Sequence, residues 1–175
     1  MTDYIRTYTG CMFPVRPRAE KVSILDIAHG LALNCRWCGQ SRWRYSVAAH
    51  SIYVSRLVPD QCKMEALLHD ASEAYMADVP APFKAMLPDY RKLESELQLA
   101  IASHFGLTYP WPREVHRADA AALYAERRAL FAAFDPRDVP KAVRKLNWDF
   151  DFWCGLKESE LQREFLLAFH RYENL

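Results

Sequence analysis

The sequence predicts an all-α domain, on three observations. Apolar residues recur at helical spacing beyond residue 22, beginning with Ile24, Ile27 and Leu31. Proline and glycine residues separate the periodic segments, and the alternation typical of strands is weak after residue 22. A length of 175 residues with a 51% hydrophobic share suits one domain, residues 1–175, with a substantial core. We therefore expect a single bundle of about six helices.

Start and stop signals place the elements along the chain. Residues 1–22 combine scattered aromatic residues with Pro14 and Pro17, which predicts a short strand or extended arm packed on the domain. A first helix begins at the capping residue Ser23, and a loop containing Gly39 follows it. Further helices are predicted over 46–57, from 60 to the prolines at 80 and 82, and over 89–105, 112–131 and 158–172.

Two segments have a distinctive composition. The helix that begins at Asp60 is apolar nearly all round, which predicts a central, buried position. The stretch 135–157 contains Pro136, Pro140 and the run NWDFDFW, and we expect it to be irregular. That aromatic run suits packing or a subunit contact, and a lid over a nucleobase is the functional alternative.

Charge and composition exclude several classes of protein. With 23 basic and 22 acidic residues the net charge is +1, which argues against a polynucleotide binder but permits a small phosphorylated ligand. No apolar run approaches the roughly 18 residues of a membrane helix, and the first residues do not resemble a secretory signal. Five cysteines, of which only Cys35 and Cys38 are closely spaced, suit a reduced protein. We expect a cytoplasmic protein with no membrane partner.

The helix predicted to be buried carries charged residues. His69, Asp70 and Glu73 lie within one and a half turns, and buried charges are costly unless they are paired or bound to a metal. The His–Asp pair alone is more typical of an interior histidine hydrogen-bonded to a carboxylate. His50 on the preceding helix and Asp119 on a later one add a second imidazole and a second carboxylate. Mixed nitrogen and oxygen ligands suit a divalent metal ion.

These residues resemble a known signature. The order His50, His69-Asp70, Asp119 resembles the H…HD…D signature of the HD-domain metal-dependent phosphohydrolases. The surrounding segments YSVAAHS, ALLHDASEAYMADVPAPFK and ADAAALYAERRAL are similar to the small bacterial and prophage-type 5′-deoxynucleotidase group. The resemblance is strongest over 20–132. The motif HDxxExxxxDxPxPxK is matched by His69, Asp70, Glu73, Asp78, Pro80, Pro82 and Lys84.

The resemblance implies an HD-type helical fold with one divalent ion, of Co, Mn, Mg, Ni or Zn. Its ligands would be His50, His69, Asp70 and Asp119. Ala49 departs from the pattern, since relatives often carry Glu or Gln there, and this leaves the orientation of His50 without an evident partner.

The resemblance also implies roles for other residues. Glu73 would act on the attacking water, and Asp78 would lie near the leaving group and sugar. Arg36 and Trp37 match an Arg–aromatic pair that contacts substrate, and Lys84 would face the phosphate. The structural alternatives are exposed cations for Arg36 and Lys84, core packing for Trp37 and a turn cap for Asp78.

The function predicted on this basis is hydrolysis of (deoxy)nucleoside 5′-monophosphates by a metal-bound water. The alternatives are a triphosphohydrolase acting on dNTPs or on a signalling nucleotide, and a nucleotide-binding module without turnover. We expect a small nucleotide as substrate and a homo-oligomer as the assembly.

Overall fold

Helices form nearly all the regular structure in the computed structural model, which describes residues 3–133 and 148–175. This confirms the predicted all-α class. In the described part of the chain, no helix is both long enough and apolar enough to cross a membrane. The helices are α1 (Ile24–Leu33), α2 (Val47–Ser55), α3 (Lys63–Leu68), α4 (Glu73–Met76), α5 (Ala81–Lys84), α6 (Pro88–Phe105), α7 (Arg113–Leu130), α8 (Phe150–Gly155) and α9 (Glu158–Tyr172).

The predicted N-terminal arm is a small β-hairpin. Strands β1 (Tyr4–Arg6) and β2 (Met12–Pro14) pair antiparallel, with Ile5 opposite Phe13. Phe13 is buried, and its ring stacks on Tyr75 with the ring centroids 4.1 Å apart. This contact fastens the hairpin to the helical body, as expected for an arm that packs on the domain.

The centre of the fold is α2. Every residue from Val47 to Ser55 is buried, and the helix contains no residue with a permanent charge. It packs against α1, α3, α7 and α9. The Ser46 hydroxyl caps its first turn by accepting from the Ala49 backbone N–H at 3.1 Å. The next helix along the chain, which the sequence predicts to be central, is also buried at Ala66, Leu67 and Leu68, but unlike α2 it is not buried at every position.

The helix predicted to begin at Asp60 is not continuous. A 3₁₀ turn (Asp60–Cys62) leads into α3, which ends at Leu68, and α4 begins only at Glu73. Between them the Glu73 N–H donates to the Asp70 carbonyl, three residues back rather than four. The His69 carbonyl accepts instead from the Gln98 side chain at 3.2 Å. The chain is therefore wound more tightly at the His–Asp pair than a regular helix would be.

The C-terminal part differs from its prediction in one element. Residues 150–155, predicted to be irregular, form α8. The Asp149 carboxylate caps this helix by accepting from the Phe152 N–H at 2.9 Å, a signal hidden by the alternation of aromatic and acidic residues. The buried Trp153 anchors α8 by stacking on Trp148, with centroids 4.7 Å apart. Residues 135–147 of the predicted irregular stretch lie outside the described residues.

Candidate metal centre

Four predicted ligands converge on one point between the helices. His50 Nε2 lies 3.2 Å from Asp119 Oδ1 and 3.5 Å from Asp70 Oδ2. His69 Nε2 lies 3.2 Å from Asp70 Oδ2 and 3.9 Å from Asp119 Oδ1. Ligand atoms of His50, His69 and Asp119 all lie within 4.8 Å of one another. The structure thus brings together the two imidazoles and two carboxylates that the sequence suggested.

Three elements supply these side chains. His50 projects from the middle of the fully buried α2, while His69 and Asp70 occupy the tight turn after α3. Asp119 lies two turns into α7, which packs on α2. The His50 and His69 side chains are 0% and 7% exposed, and those of Asp70 and Asp119 are 20% and 42% exposed. The imidazoles form the floor of the site, and the carboxylates face its opening.

Hydrogen bonds at the far side of each imidazole define which nitrogen carries a proton. His50 Nδ1 lies 2.6 Å from Glu126 Oε1, and His69 Nδ1 lies 2.8 Å from the Ala66 carbonyl oxygen. Carboxylate and carbonyl oxygens only accept, so both Nδ1 atoms donate. In the neutral rings each Nε2 then carries a lone pair. Neither buried Nε2 has a hydrogen-bond partner among the described residues.

When both imidazoles are neutral, the meeting point is consequently lined by acceptors alone. Two imidazole lone pairs and the oxygens of Asp70 and Asp119 face one another without an intervening donor. Such an arrangement is unfavourable unless protons or a cation lie between the groups. Donor atoms of this type, two nitrogens and two carboxylates, fit a divalent metal ion such as Zn²⁺, Mn²⁺ or Co²⁺.

The same arrangement changes the pKa values of the histidines. Burial and the Arg36 guanidinium lower the pKa of His50, but the Glu126 and Asp119 carboxylates outweigh them and raise it to about 9. Burial also lowers the pKa of His69, and Asp70 and Asp119 raise it above its usual value. Without a metal ion the nearby carboxylates therefore favour the protonated, positively charged form of both histidines. A site that stabilises positive charge in this way is also suited to a metal cation.

The pKa values of the two carboxylates, Asp70 and Asp119, are lowered rather than raised. Burial alone would raise the pKa of Asp70, but His69, His50 and Arg36 hold it well below its usual range. Burial opposes ionisation of Asp119 as well, and His50 and His69 nonetheless lower its pKa. Both groups are thus kept in the anionic form that binds metals.

Glu73 is a buried carboxylate beside the centre. It is 5% exposed, and its Oε2 atom is buried without a hydrogen-bond partner in the described chain. Burial raises its pKa well above the usual value, and the neighbouring carboxylates of Asp70 and Asp78 add to that increase. The Asn34 amide fixes the backbone here by donating to the Glu73 carbonyl at 2.6 Å. A carboxylate of raised basicity with one unpartnered oxygen is suited to accepting a proton.

Lys84 lies beside Glu73. Its Nζ atom lies 3.8 Å from Glu73 Oε1 and 2.6 Å from Glu94 Oε1 on α6. Burial lowers the pKa of Lys84, but Glu94 and Glu73 more than compensate and raise it. The side chain is 22% exposed, so Lys84 is held in place by carboxylates rather than extended into solvent.

Asp78 follows a strained residue. Ala77 has φ 65° and ψ 160°, a conformation that residues other than glycine rarely adopt. The Tyr90 hydroxyl holds this bend by donating to the Ala77 carbonyl at 2.9 Å. Burial raises the pKa of Asp78, which Arg36 only partly offsets. Strained residues of this kind are found often at active sites and ligand clamps.

Arg36 and Trp37 lie on a 3₁₀ turn (Arg36–Gly39) beside α2. Arg36 is 8% exposed; its Nε lies 3.0 Å from Glu126 Oε2 and its Nη1 lies 3.7 Å from Asp70 Oδ2. Trp37 has φ 60° and packs edge-on against Phe131, with the Arg127 guanidinium 5.4 Å from its ring centroid. Arg36 is thus a buried partner of the centre, and Trp37 lies half-buried near it.

Sequence reasoning missed two carboxylates. Glu126 lies seven residues after Asp119, two helical turns along α7 and on the same face, so its spacing was a usable signal. Glu94 comes from α6, and nothing in the local sequence links it to Lys84. Both residues act on side chains that the sequence did suggest.

The comparisons with known proteins give relatives without an assigned activity. No family model matches the chain. The chain is 40% identical over 129 residues to the uncharacterized protein YfdR of Escherichia coli K12, covering 73% of this chain and 72% of YfdR. It is 38% identical over 116 residues to an uncharacterized protein of Rhodobacter capsulatus, covering 61% of this chain and 59% of that protein. By the extent of the first match, the chain belongs to the family of YfdR.

Proposed function

We propose that this protein is an HD-type, metal-dependent phosphohydrolase that removes phosphate from (deoxy)nucleoside 5′-monophosphates. The observation that carries the proposal is the convergence of two buried, unpartnered Nε2 atoms with the carboxylates of Asp70 and Asp119. The resemblance of the HDxxExxxxDxPxPxK segment to 5′-deoxynucleotidases supports the choice of reaction.

The ion-binding residues are His50, His69, Asp70 and Asp119. Their protonation states suit the task, since both Nδ1 atoms donate elsewhere and leave each Nε2 free to ligate. A divalent ion bound there would lower the pKa of water and neutralise charge on a phosphoryl oxygen.

The neighbouring side chains supply the proton transfer and the phosphate contact. Glu73 accepts the proton of the water whose oxygen attacks phosphorus, a role suited to its unpaired Oε2. Lys84, held beside Glu73 by Glu94, donates to a phosphoryl oxygen. The phosphorus–oxygen bond to the nucleoside breaks, and the 5′ oxygen leaves as a hydroxyl after taking up one proton. Asp78 is assigned to that side by the resemblance.

The substrate's sugar and base are assigned to the turn that carries Arg36 and Trp37. The half-buried indole of Trp37, which has the Arg36 and Arg127 guanidinium groups 5.6 Å and 5.4 Å from its ring centroid, is the aromatic group assigned to the base. Arg36 already lies beside two carboxylates, Asp70 and Glu126. Its guanidinium group would therefore contact phosphate while it still binds Glu126.

A product analysis tests the proposal. Wild-type protein and Asp70→Ala, each incubated with Mn²⁺, Co²⁺ or Zn²⁺, are given mono-, di- and triphosphates of ribo- and deoxyribonucleosides, and all products are identified by chromatography. We expect orthophosphate and nucleoside from monophosphates with wild type alone. Release of triphosphate or pyrophosphate would favour the triphosphohydrolase alternative. Binding without turnover in every metal would favour a binding module.

A further inference from the structure

The orientation of His50 depends on a residue from another helix. The His50 side chain is fully buried, and its Nδ1 donates to Glu126 Oε1 at 2.6 Å. The preceding residue is Ala49, which offers no polar side-chain atom. We propose that Glu126 is a positioning residue that holds His50 in the ring orientation and tautomer required to bind the metal ion. This proposal rests on the proposed function, because it concerns the same metal centre.

Helix α7 serves the centre at two points. Asp119 and Glu126 are seven residues apart, so they project from one face of the helix two turns apart. Asp119 approaches His50 at Nε2, at 3.2 Å, while Glu126 holds the opposite ring nitrogen. The His50 imidazole therefore lies between two carboxylates of α7, Asp119 and Glu126. A rotation of its ring would break the hydrogen bond to Glu126.

Arg36 completes the arrangement from the other side. Its Nε donates to Glu126 Oε2 at 3.0 Å, while Glu126 Oε1 accepts a hydrogen bond from His50 Nδ1–H. Glu126 is 0% exposed, and a buried carboxylate needs a cation and hydrogen bonds of this kind. The backbone fixes Arg36 in turn, because its N–H donates to the Tyr45 carbonyl at 2.9 Å.

His69 shows the alternative solution in the same site. Its Nδ1 donates to the backbone carbonyl of Ala66 at 2.8 Å, so no side chain is needed to orient it. His50 lies in the middle of a regular helix, where the backbone carbonyls are engaged in helical hydrogen bonds. Its Nδ1 donates to a side-chain acceptor, Glu126, instead. Partners that orient ligating histidines typically change metal affinity or activity by about 10- to 100-fold when removed.

Three substitutions of Glu126 test this role. Glu126→Ala removes the acceptor, and Glu126→Asp keeps the charge beside Arg36 but withdraws the oxygen from His50. Glu126→Gln keeps one oxygen able to accept from Nδ1, but its amide NH₂ then faces Arg36 Nε, which is also a donor. We expect zinc affinity, measured by calorimetry, to fall about 10- to 100-fold in the Ala and Asp variants and to fall less in the Gln variant. If the Ala variant fails to fold, the Asp variant provides the same comparison.

Leu130→Ala is the matched control. Leu130 is 0% exposed on the same helix, so its truncation weakens packing without touching His50. We expect lower thermal stability with zinc affinity close to that of wild type. A loss of affinity in this control equal to that of Glu126→Ala would assign the effect to general destabilisation and overturn the positioning role.

Nuclear magnetic resonance of the zinc-loaded, ¹⁵N-labelled protein provides a readout independent of turnover. We expect slowly exchanging Nδ1–H protons from His50 and His69 in wild type, with only that of His69 left in Glu126→Asp. If the His50 signal persists in Glu126→Asp and zinc affinity is unchanged, the positioning role of Glu126 is overturned, but the proposed function is not. Protein that binds zinc, Mn²⁺ or Co²⁺ but hydrolyses nothing with any of them would leave this role intact and remove the proposed reaction. A wild-type protein that binds no zinc, Mn²⁺ or Co²⁺ would overturn both.

Discussion

Gly30 on α1 and Ala74 on α4 meet backbone to backbone. A Cβ atom added at Gly30 would lie 2.7 Å from the Ala74 carbonyl oxygen and 2.9 Å from its Cα and Cβ atoms. Ala74 directly follows Glu73, so this contact sets how far the short helix carrying Glu73 lies from the body of the fold. A glycine at this position is required by the close approach of two helices, not by its backbone angles.

Gly30→Ala is expected to destabilise the protein by about 1–3 kcal/mol, because the added methyl group overlaps with backbone that cannot rotate away. Displacement of α4 should also lower turnover through Glu73. Urea unfolding measures the first effect, and kcat with a 5′-monophosphate measures the second. Gly155→Ala is the control, since a Cβ there meets nothing within 4 Å. Equal stability of the two variants would contradict the packing argument.

The metal content of the protein is the second prediction. We expect about one divalent ion per chain, because one set of converging acceptors has the composition of a single site. Asp70→Ala should lose both the ion and the activity, and chelation of wild type should abolish activity reversibly. Elemental analysis of the purified protein measures the ion. Asp60→Ala, which changes an exposed carboxylate paired with Lys63, should retain both. Full activity after exhaustive chelation would exclude a metal-dependent mechanism.

Much of the fold followed from local signals in the sequence. Helices α2, α6, α7 and α9 begin and end within a few residues of their predicted limits, because prolines and glycines act locally. Helix α1 begins directly after the predicted Ser23, although the Ser23 side chain makes no capping hydrogen bond. The break after Leu68 was not predictable in this way. It is stabilised by the Gln98 and Asn34 side chains, which approach from distant positions in the chain.

The residues of the candidate site likewise fall into those that local sequence could suggest and those that depend on how the helices pack. The ligands could be suggested because imidazole and carboxylate groups on apolar helices are unfavourable without a partner, as His50 and Asp119 illustrate. The residues that bind and orient the predicted site residues, such as Glu94 beside Lys84, were harder to predict from the sequence. Glu94 reaches Lys84 from a separate helix, and such a contact depends on how helices pack rather than on spacing within one of them.

Lys84→Ala is expected to lower kcat/KM for a 5′-monophosphate by about 10- to 100-fold, the loss of one charge-assisted contact of roughly 1.5–3 kcal/mol. The structure adds a second comparison, because Glu94 binds Lys84 at 2.6 Å. If Lys84 contacts phosphate, Glu94→Gln should be milder than Lys84→Ala, since the ammonium group is still present. Steady-state kinetics of both variants make the measurement.

A control for charge alone is Lys21→Ala, which removes an exposed lysine. It should behave as wild type. Equal losses in Lys84→Ala and Glu94→Gln, with reduced thermal stability in both, would show that the ion pair only supports the fold. Unchanged kinetics in a folded, metal-loaded Lys84→Ala would remove Lys84 from the substrate contacts.

Glu73→Gln separates metal binding from chemistry. Glu73 lies beside the centre, and its Oε2 atom is buried and unpartnered, whereas the four proposed ligands point at one another. Gln keeps the size and one oxygen of the side chain but removes the basic carboxylate, so the variant should retain metal and nucleotide while kcat falls about 10²- to 10⁴-fold. Metal content, nucleotide affinity and kcat are measured on one preparation, with the exposed Glu96→Gln on α6 as control. A kcat near that of wild type would remove Glu73 from the reaction. Joint loss of metal and folding would instead assign it a structural role beside Lys84.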